Sequence, residues 1–107
     1  MSTFTIYDLE KRVHARAKAD PEESYTRKLL DRGVAHCAKK LGEEAIETTI
    51  AAIAENRERL IAESADLLYH LIVVLKARDI SLAEVEAALS MRVSQSGLDE
   101  KAARKSS

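Results

Sequence analysis

Three observations predict an all-α fold. Proline occurs once (Pro21) and glycine three times (Gly33, Gly42, Gly97) in 107 residues, too few breakers for a chain of strands joined by turns. Ala, Leu, Glu, Lys and Arg, all good helix formers, dominate the composition. Apolar residues recur at helical spacing, as at Leu41, Ala45, Ile46, Ile50 and Ile53, and are placed to face a core. The length suits a single domain with a modest core. The expected architecture is an antiparallel helical hairpin core of about five helices.

The elements follow in order. A first helix over about residues 5–19 is opened by Thr5 with Asp8 three residues on, an N-cap with its acidic N3 partner. Pro21 marks a loop, and a short helix beyond it is ended by Gly33. A long helix spans about residues 34–54, and the segment ENRER turns the chain, with Asn56 as the next N-cap. The second long helix reaches about Arg78, and Ser81 with Glu84 opens another. From Val93 the periodicity is lost, so residues 1–92 are read as the domain and 93–107 as a polar tail, frayed or disordered. Two long helices joined by a short turn make an antiparallel hairpin.

The stretch DLLYHLIVVLKA is apolar on nearly all sides after Asp66. A surface helix of a small monomer keeps a polar face, so this helix predicts a homodimer or higher homo-oligomer. Being the central helix of a monomer core is the other reading.

Charge and cysteine content exclude several classes. A net charge of −1 with 33% charged residues gives no basic excess for nucleic acid. No window has the length and apolarity of a membrane span, and the N-terminus lacks a continuous apolar stretch, so a cytoplasmic protein is expected. The single cysteine, Cys37, allows neither a disulfide framework nor a Cys-based zinc site, and is most simply a small core residue.

The informative feature is acidic. Glu44 and Glu47 are i, i+3 neighbours on the first long helix, and Glu63 and Asp66 repeat that spacing on the second, each pair bordering an apolar arc. Antiparallel packing about a turn near residues 55–57 brings the four carboxylates to one level. On a partly buried seam they repel unless cations neutralise them, and Mg²⁺ suits oxygen ligands that leave room for water and phosphate. Either pair alone reads as a solvated face, and Lys40 with Glu44 as an i, i+4 ion pair.

GEEAIE, followed after fifteen residues by ESADLLYHL, resembles the signature of the all-α nucleoside triphosphate pyrophosphohydrolases, the MazG-like superfamily. SYTRKLLDRG, KKLGEEAIE and ADLLYHLIVVL resemble, within it, the phosphoribosyl-ATP pyrophosphohydrolases, over about residues 4–92. The resemblance implies Mg²⁺-dependent hydrolysis of phosphoribosyl-ATP between its α and β phosphates, yielding phosphoribosyl-AMP and pyrophosphate in the second step of histidine biosynthesis. It makes Glu44, Glu47, Glu63 and Asp66 the metal ligands. Glu43 matches a position that ligates a further metal, or positions or deprotonates water. One Cys and three His cannot supply the zinc site of the cyclohydrolase fused to this domain in related chains, so a stand-alone enzyme is expected.

The chemistry needs further groups. Glu43 or Glu47 would take the proton from the attacking water. Polyphosphate also needs cations and hydroxyls, for which Lys40 is the first choice and Ser24, Thr26, Arg27, Lys28 and Arg92 are further candidates. Ser24 reads equally well as a helix N-cap, and Arg27, Lys28 and Arg92 as solvated charge. His70 is read as a core histidine, with support of Asp66 as the rival role. Tyr69 is assigned to packing or an interface, and His14 and His36 to polar surface. Two other functions share these features: a housecleaning nucleoside triphosphate pyrophosphatase of the MazG-like kind, and a non-catalytic helical dimerisation module.

Overall fold

A computed structural model describes residues 3–94 and 104. It contains α1 (Ile6–Arg16), α2 (Tyr25–Asp31), α3 (Val34–Ala54), α4 (Arg57–Ala77) and α5 (Leu82–Ser94), and no strand among the described residues. The all-α class and the order of helices are as the sequence predicts.

Local capping explains most of the boundaries. Asp8 N–H donates to Thr5 Oγ1 at 3.2 Å and Thr5 N–H donates to Asp8 Oδ2 at 2.9 Å, a complete capping box. The bond from the Thr5 N–H holds the Asp8 carboxyl below its usual range. Asn56 Oδ1 caps α4 by accepting from Arg59 N–H at 2.9 Å. Ser81 and Glu84 form a second box at α5, and Leu82 N–H donates to Glu10 Oε2 of α1 at 2.7 Å, tying the first and last helices together.

Two boundaries differ from expectation. α1 ends at Arg16, three residues early, because a distant group captures its last carbonyl: the Ser24 hydroxyl donates to Arg16 O at 2.8 Å. The Arg16 guanidinium in turn donates to Glu23 O at 2.6 Å. α5 continues through Ser94, two residues past the expected domain end; the rest of the expected tail, apart from Arg104, lies outside the described residues. Arg32 and Gly33 make the whole connection between α2 and α3, and Gly33 has φ of +94°. That left-handed conformation strains any residue with a side chain.

α3 and α4, 21 residues each, form the hairpin, and α1 and α2 pack on α4. The core gathers Val13, Leu29, Cys37, Ile72, Val73 and Leu82, with Tyr69 and Leu75 packed against it. It therefore lies around the C-terminal half of α4. Cys37 is in this core as expected, its thiol donating to Leu29 O at 3.2 Å.

The turn end of the hairpin is left bare, which corrects one expectation. Ile46, Ile50 and Ile53 are 63%, 51% and 82% exposed, and no other helix among the described residues covers them. Ile61 and Leu68 of α4 are exposed as well. The apolar girth of α4 is met largely within one chain, by α1, α2 and α3, and the unpartnered apolar surface sits chiefly on α3. No helix among the described residues is long and apolar enough to cross a membrane.

Candidate active site

The hairpin brings three carboxylates together. Glu44 of α3 and Glu63 and Asp66 of α4 each offer an oxygen, and these oxygens lie within 4.8 Å of one another. Thr48 sets the level. Its hydroxyl lies 2.7 Å from Glu44 O, one turn back, and 3.2 Å from Glu63 O on the facing helix. A short side chain at this position lets the two backbones close, and its shared proton links them beside the acids.

The electrostatics of the cluster are unresolved by the chain itself. Glu63 is only 5% exposed, and its Oε1 accepts from the Arg59 guanidinium at 2.5 Å. Its Oε2 is buried without a partner, and so is Glu44 Oε2. Buried polar atoms in folded proteins are nearly always partnered, so two orphaned carboxylate oxygens in one cluster point to a missing cation. Burial, and then the negative charges of Glu47, Asp66 and Glu63, push the Glu44 carboxyl above its usual range. Asp66 is exposed and opens the cluster to solvent. A hard divalent cation that takes a few carboxylates and keeps water or phosphate oxygens on its open side fits this donor set.

Of the four acids expected at one level, three converge and Glu47 stands at the rim. It is exposed, and with Ile50, Glu55, Arg59 and Glu63 it lines a small cleft of about 250 Å³. Glu47 follows Glu44 by the same step of three that separates Glu63 from Asp66, so its place outside the cluster is set by how α3 packs on α4 and not by the spacing alone. It remains near enough to raise the Glu44 pKa. Glu43 is exposed and pairs with Lys40 Nζ at 3.5 Å, so the ion pair of Lys40 runs to Glu43 rather than to Glu44.

His70 is buried behind Asp66, with its ring edge-on to Tyr69 at 5.0 Å and to Tyr25 at 6.3 Å. Burial pushes its pKa down against the pull of Asp66, and its Nδ1 has no partner. The imidazole is therefore neutral at pH 7.

The remaining predicted residues divide by location. Ser24 is buried and its hydroxyl is fully engaged: it accepts from Arg27 N–H at 3.0 Å as the α2 cap and donates to Arg16 O. The buried Thr26 hydroxyl shares a 2.5 Å hydrogen bond with Tyr69 Oη. Arg27 binds Asp31 at 2.9 Å and Ala19 O at 3.1 Å. Arg92 is exposed in the last turn of α5 and lines neither cleft described here.

Lys28 and Lys40 instead meet across a cleft of about 420 Å³ between α2 and α3, lined also by Tyr25, Leu29, Asp31, Arg32 and His36. Arg32 and Tyr25 were not singled out from sequence, and His36 was assigned to polar surface. The available signal was two basic i, i+4 steps, Lys28–Arg32 and His36–Lys40, on either side of Gly33. Burial, with Arg32, Lys40 and Lys39 adding to it, pushes the His36 pKa down.

Known proteins match nearly the whole chain. A sequence model of the family described as Phosphoribosyl-ATP pyrophosphohydrolase covers residues 6–93. A protein named Phosphoribosyl-ATP pyrophosphatase 1 from Bradyrhizobium diazoefficiens is 65% identical over 105 residues, spanning 98% of this chain and 99% of the relative. A second of that name from Rhodopseudomonas palustris is 57% identical over 98% of each chain. The Phosphoribosyl-ATP pyrophosphatase of Rhizobium meliloti is 59% identical over 97% of each.

Proposed function

The chain belongs to the phosphoribosyl-ATP pyrophosphohydrolase family, and on that premise we propose how its own residues carry the reaction. The chain hydrolyses phosphoribosyl-ATP to phosphoribosyl-AMP and pyrophosphate in histidine biosynthesis. The observation that carries the site assignment is the convergence of Glu44, Glu63 and Asp66 with two buried, unpartnered oxygens. These three carboxylates would hold Mg²⁺, with Glu47 at the rim of the same site. When bound, the ion neutralises phosphate oxygens and acidifies water.

The protein residues do the rest. Arg59 anchors Glu63 through Oε1 and leaves Oε2 directed at the cluster. Glu47 takes the proton of the attacking water: it sits at the solvent rim, and no ion pair engages it among the described residues. Glu43 holds Lys40 beside the cluster, where the ammonium meets the polyphosphate; Lys28 faces Lys40 across the cleft between α2 and α3. Ser24, Thr26 and Arg27 act on the substrate only indirectly, by fixing α2 on α1, α4 and the Ala19 turn.

Two copies associate through the bare end of the hairpin, burying Ile46, Ile50 and Ile53 with Ile61 and Leu68. The enzyme works in the cytoplasm.

Pyrophosphate release from phosphoribosyl-ATP, compared with ATP and deoxynucleoside triphosphates, tests this reading in Mg²⁺ and in chelator. Mg²⁺-dependent turnover with preference for phosphoribosyl-ATP is the expected result. Turnover of the simple triphosphates alone would reassign the chain to the housecleaning pyrophosphatases, and unaltered activity in chelator would remove the metal assignment.

A further inference from the structure

We infer that the cleft between α2 and α3 is the subsite for the ribose 5-phosphate carried on N1 of the adenine, and that Arg32 and His36 are its specificity-determining contacts. This rests on the phosphoribosyl-ATP reading and adds to it the residues that distinguish that substrate from ATP.

The cleft has the chemistry of an organic phosphate site. Lys28, Arg32 and Lys40 place three cations around it, and the buried Leu29 gives it an apolar floor. Its one carboxylate, Asp31, is already bound by the Arg27 guanidinium at 2.9 Å. The neutral His36 supplies a ring N–H donor without adding a charge to be desolvated. Arginine matches phosphate oxygens with paired donors in a way lysine cannot.

Position gives the second argument. His36, Lys40 and Glu44 follow one another at i, i+4 along one stripe of α3, so His36 lies ~12 Å along the helix from Glu44, with Lys40 midway between them. A phosphate held at the His36 end of the cleft is therefore not the one held at the carboxylate cluster. A substrate with a triphosphate at one end and a single phosphate at the other, separated by adenine and its riboses, spans such a pair of sites.

Tyr25 lies between them. It lines the cleft, is 55% exposed, stacks on Tyr69 at 6.4 Å and contacts His70, the neighbour of Asp66. An aromatic face at that position suits the purine joining the two ends.

The test is the kinetics of the full-length enzyme with Arg32→Gln, His36→Gln and the double variant. The double variant should raise KM for phosphoribosyl-ATP by roughly tenfold to a hundredfold, the size of losing charge-assisted phosphate bonds, with kcat little changed. Arg32→Lys should recover part of the loss. Ribose 5-phosphate should inhibit the wild type competitively and fail to inhibit the double variant, while the Mg²⁺-induced thermal shift stays the same in both.

An unchanged KM, or a fall in kcat at constant KM, overturns the assignment. If the wild type releases no pyrophosphate from phosphoribosyl-ATP, the underlying reading fails instead. The cleft is then judged by NMR titration with ribose 5-phosphate: perturbation confined to residues 25–40 and lost in the double variant supports it, and its absence overturns it.

Discussion

Removing one charge from the carboxylate cluster should stabilise the metal-free protein. Burial and three acidic neighbours hold the Glu44 pKa above its usual range, whereas in the unfolded chain it is ordinary, about 4.3. A carboxyl that ionises less readily in the folded state lowers stability as pH rises. The cost is absent below the ordinary value, grows between that value and the raised one, and is complete above it. Glu44→Gln removes it.

The cluster geometry sets the size. Two unit charges at 4.8 Å repel by about 1 kcal/mol at the permittivity of water and about 3.5 kcal/mol at an effective value of 20. The cluster opens to solvent at Asp66, and Arg59 answers Glu63, so the net gain should be about 1–2 kcal/mol, or roughly 4–8 °C in Tm for a chain of this size. Differential scanning calorimetry in chelator at pH 7.5 should find that increase, shrinking as the pH is lowered toward the ordinary carboxylate range. Added Mg²⁺ should stabilise the wild type and leave the variant nearly unmoved. A Glu44→Gln protein no more stable than the wild type in chelator, or one that gains equally from Mg²⁺, would refute the reasoning.

Four other substitutions probe the rest. Glu47→Gln should lower kcat by roughly a hundredfold or more, the scale of losing a general base, while keeping the Mg²⁺ thermal shift; a loss of that shift would make it chiefly a ligand. Thr26→Val strands the Tyr69 hydroxyl and should cost about 1–3 kcal/mol in a denaturant melt, whereas adding Tyr69→Phe should recover much of it. Ile50→Asp should dissociate the oligomer at micromolar concentration in light scattering, and a variant of unchanged mass would place the interface elsewhere. Gly42→Ala should stabilise by about 0.5–1 kcal/mol, since a Cβ there meets nothing within 4 Å in the chain; a lower Tm would mean that another backbone approaches at Gly42.

Much of the fold was legible because its signals are local. The boxes at Thr5–Asp8 and Ser81–Glu84 and the cap at Asn56 depend on residues three apart, and each sits where the spacing placed it. The end of α1 was not legible, because the group that stops it, Ser24, is eight residues away and reaches it only through the folded loop. The convergence of Glu44, Glu63 and Asp66 could be read from two matched spacings on antiparallel helices. The offset of Glu47 was not legible, since the identical spacing on α4 leaves both Glu63 and Asp66 in the cluster. Ile46, Ile50 and Ile53 illustrate a different limit: periodicity says that a face is apolar and says nothing of what covers it. Arg32 was passed over and His36 assigned to polar surface because each alone resembles a solvated polar group. The two-residue turn at Arg32 and Gly33 is what sets α2 and α3 side by side.

The carboxylate cluster also has a mechanical consequence. Glu44 and Glu63 lie on opposite sides of the hairpin turn, so a cation held between them staples shut a loop of about twenty residues, and a covalent bridge across a loop of that size restrains the unfolded chain by about 3 kcal/mol. None of the core residues Val13, Leu29, Cys37, Ile72, Val73 and Leu82 lies in the stapled segment. Catalytic cation and structural clasp are then one object, and withdrawing it should loosen the tip of the hairpin while the far end of α4 stays closed. Amide exchange should record that as faster exchange between residues 48 and 60 in chelator, against little change around Ile72 and Val73.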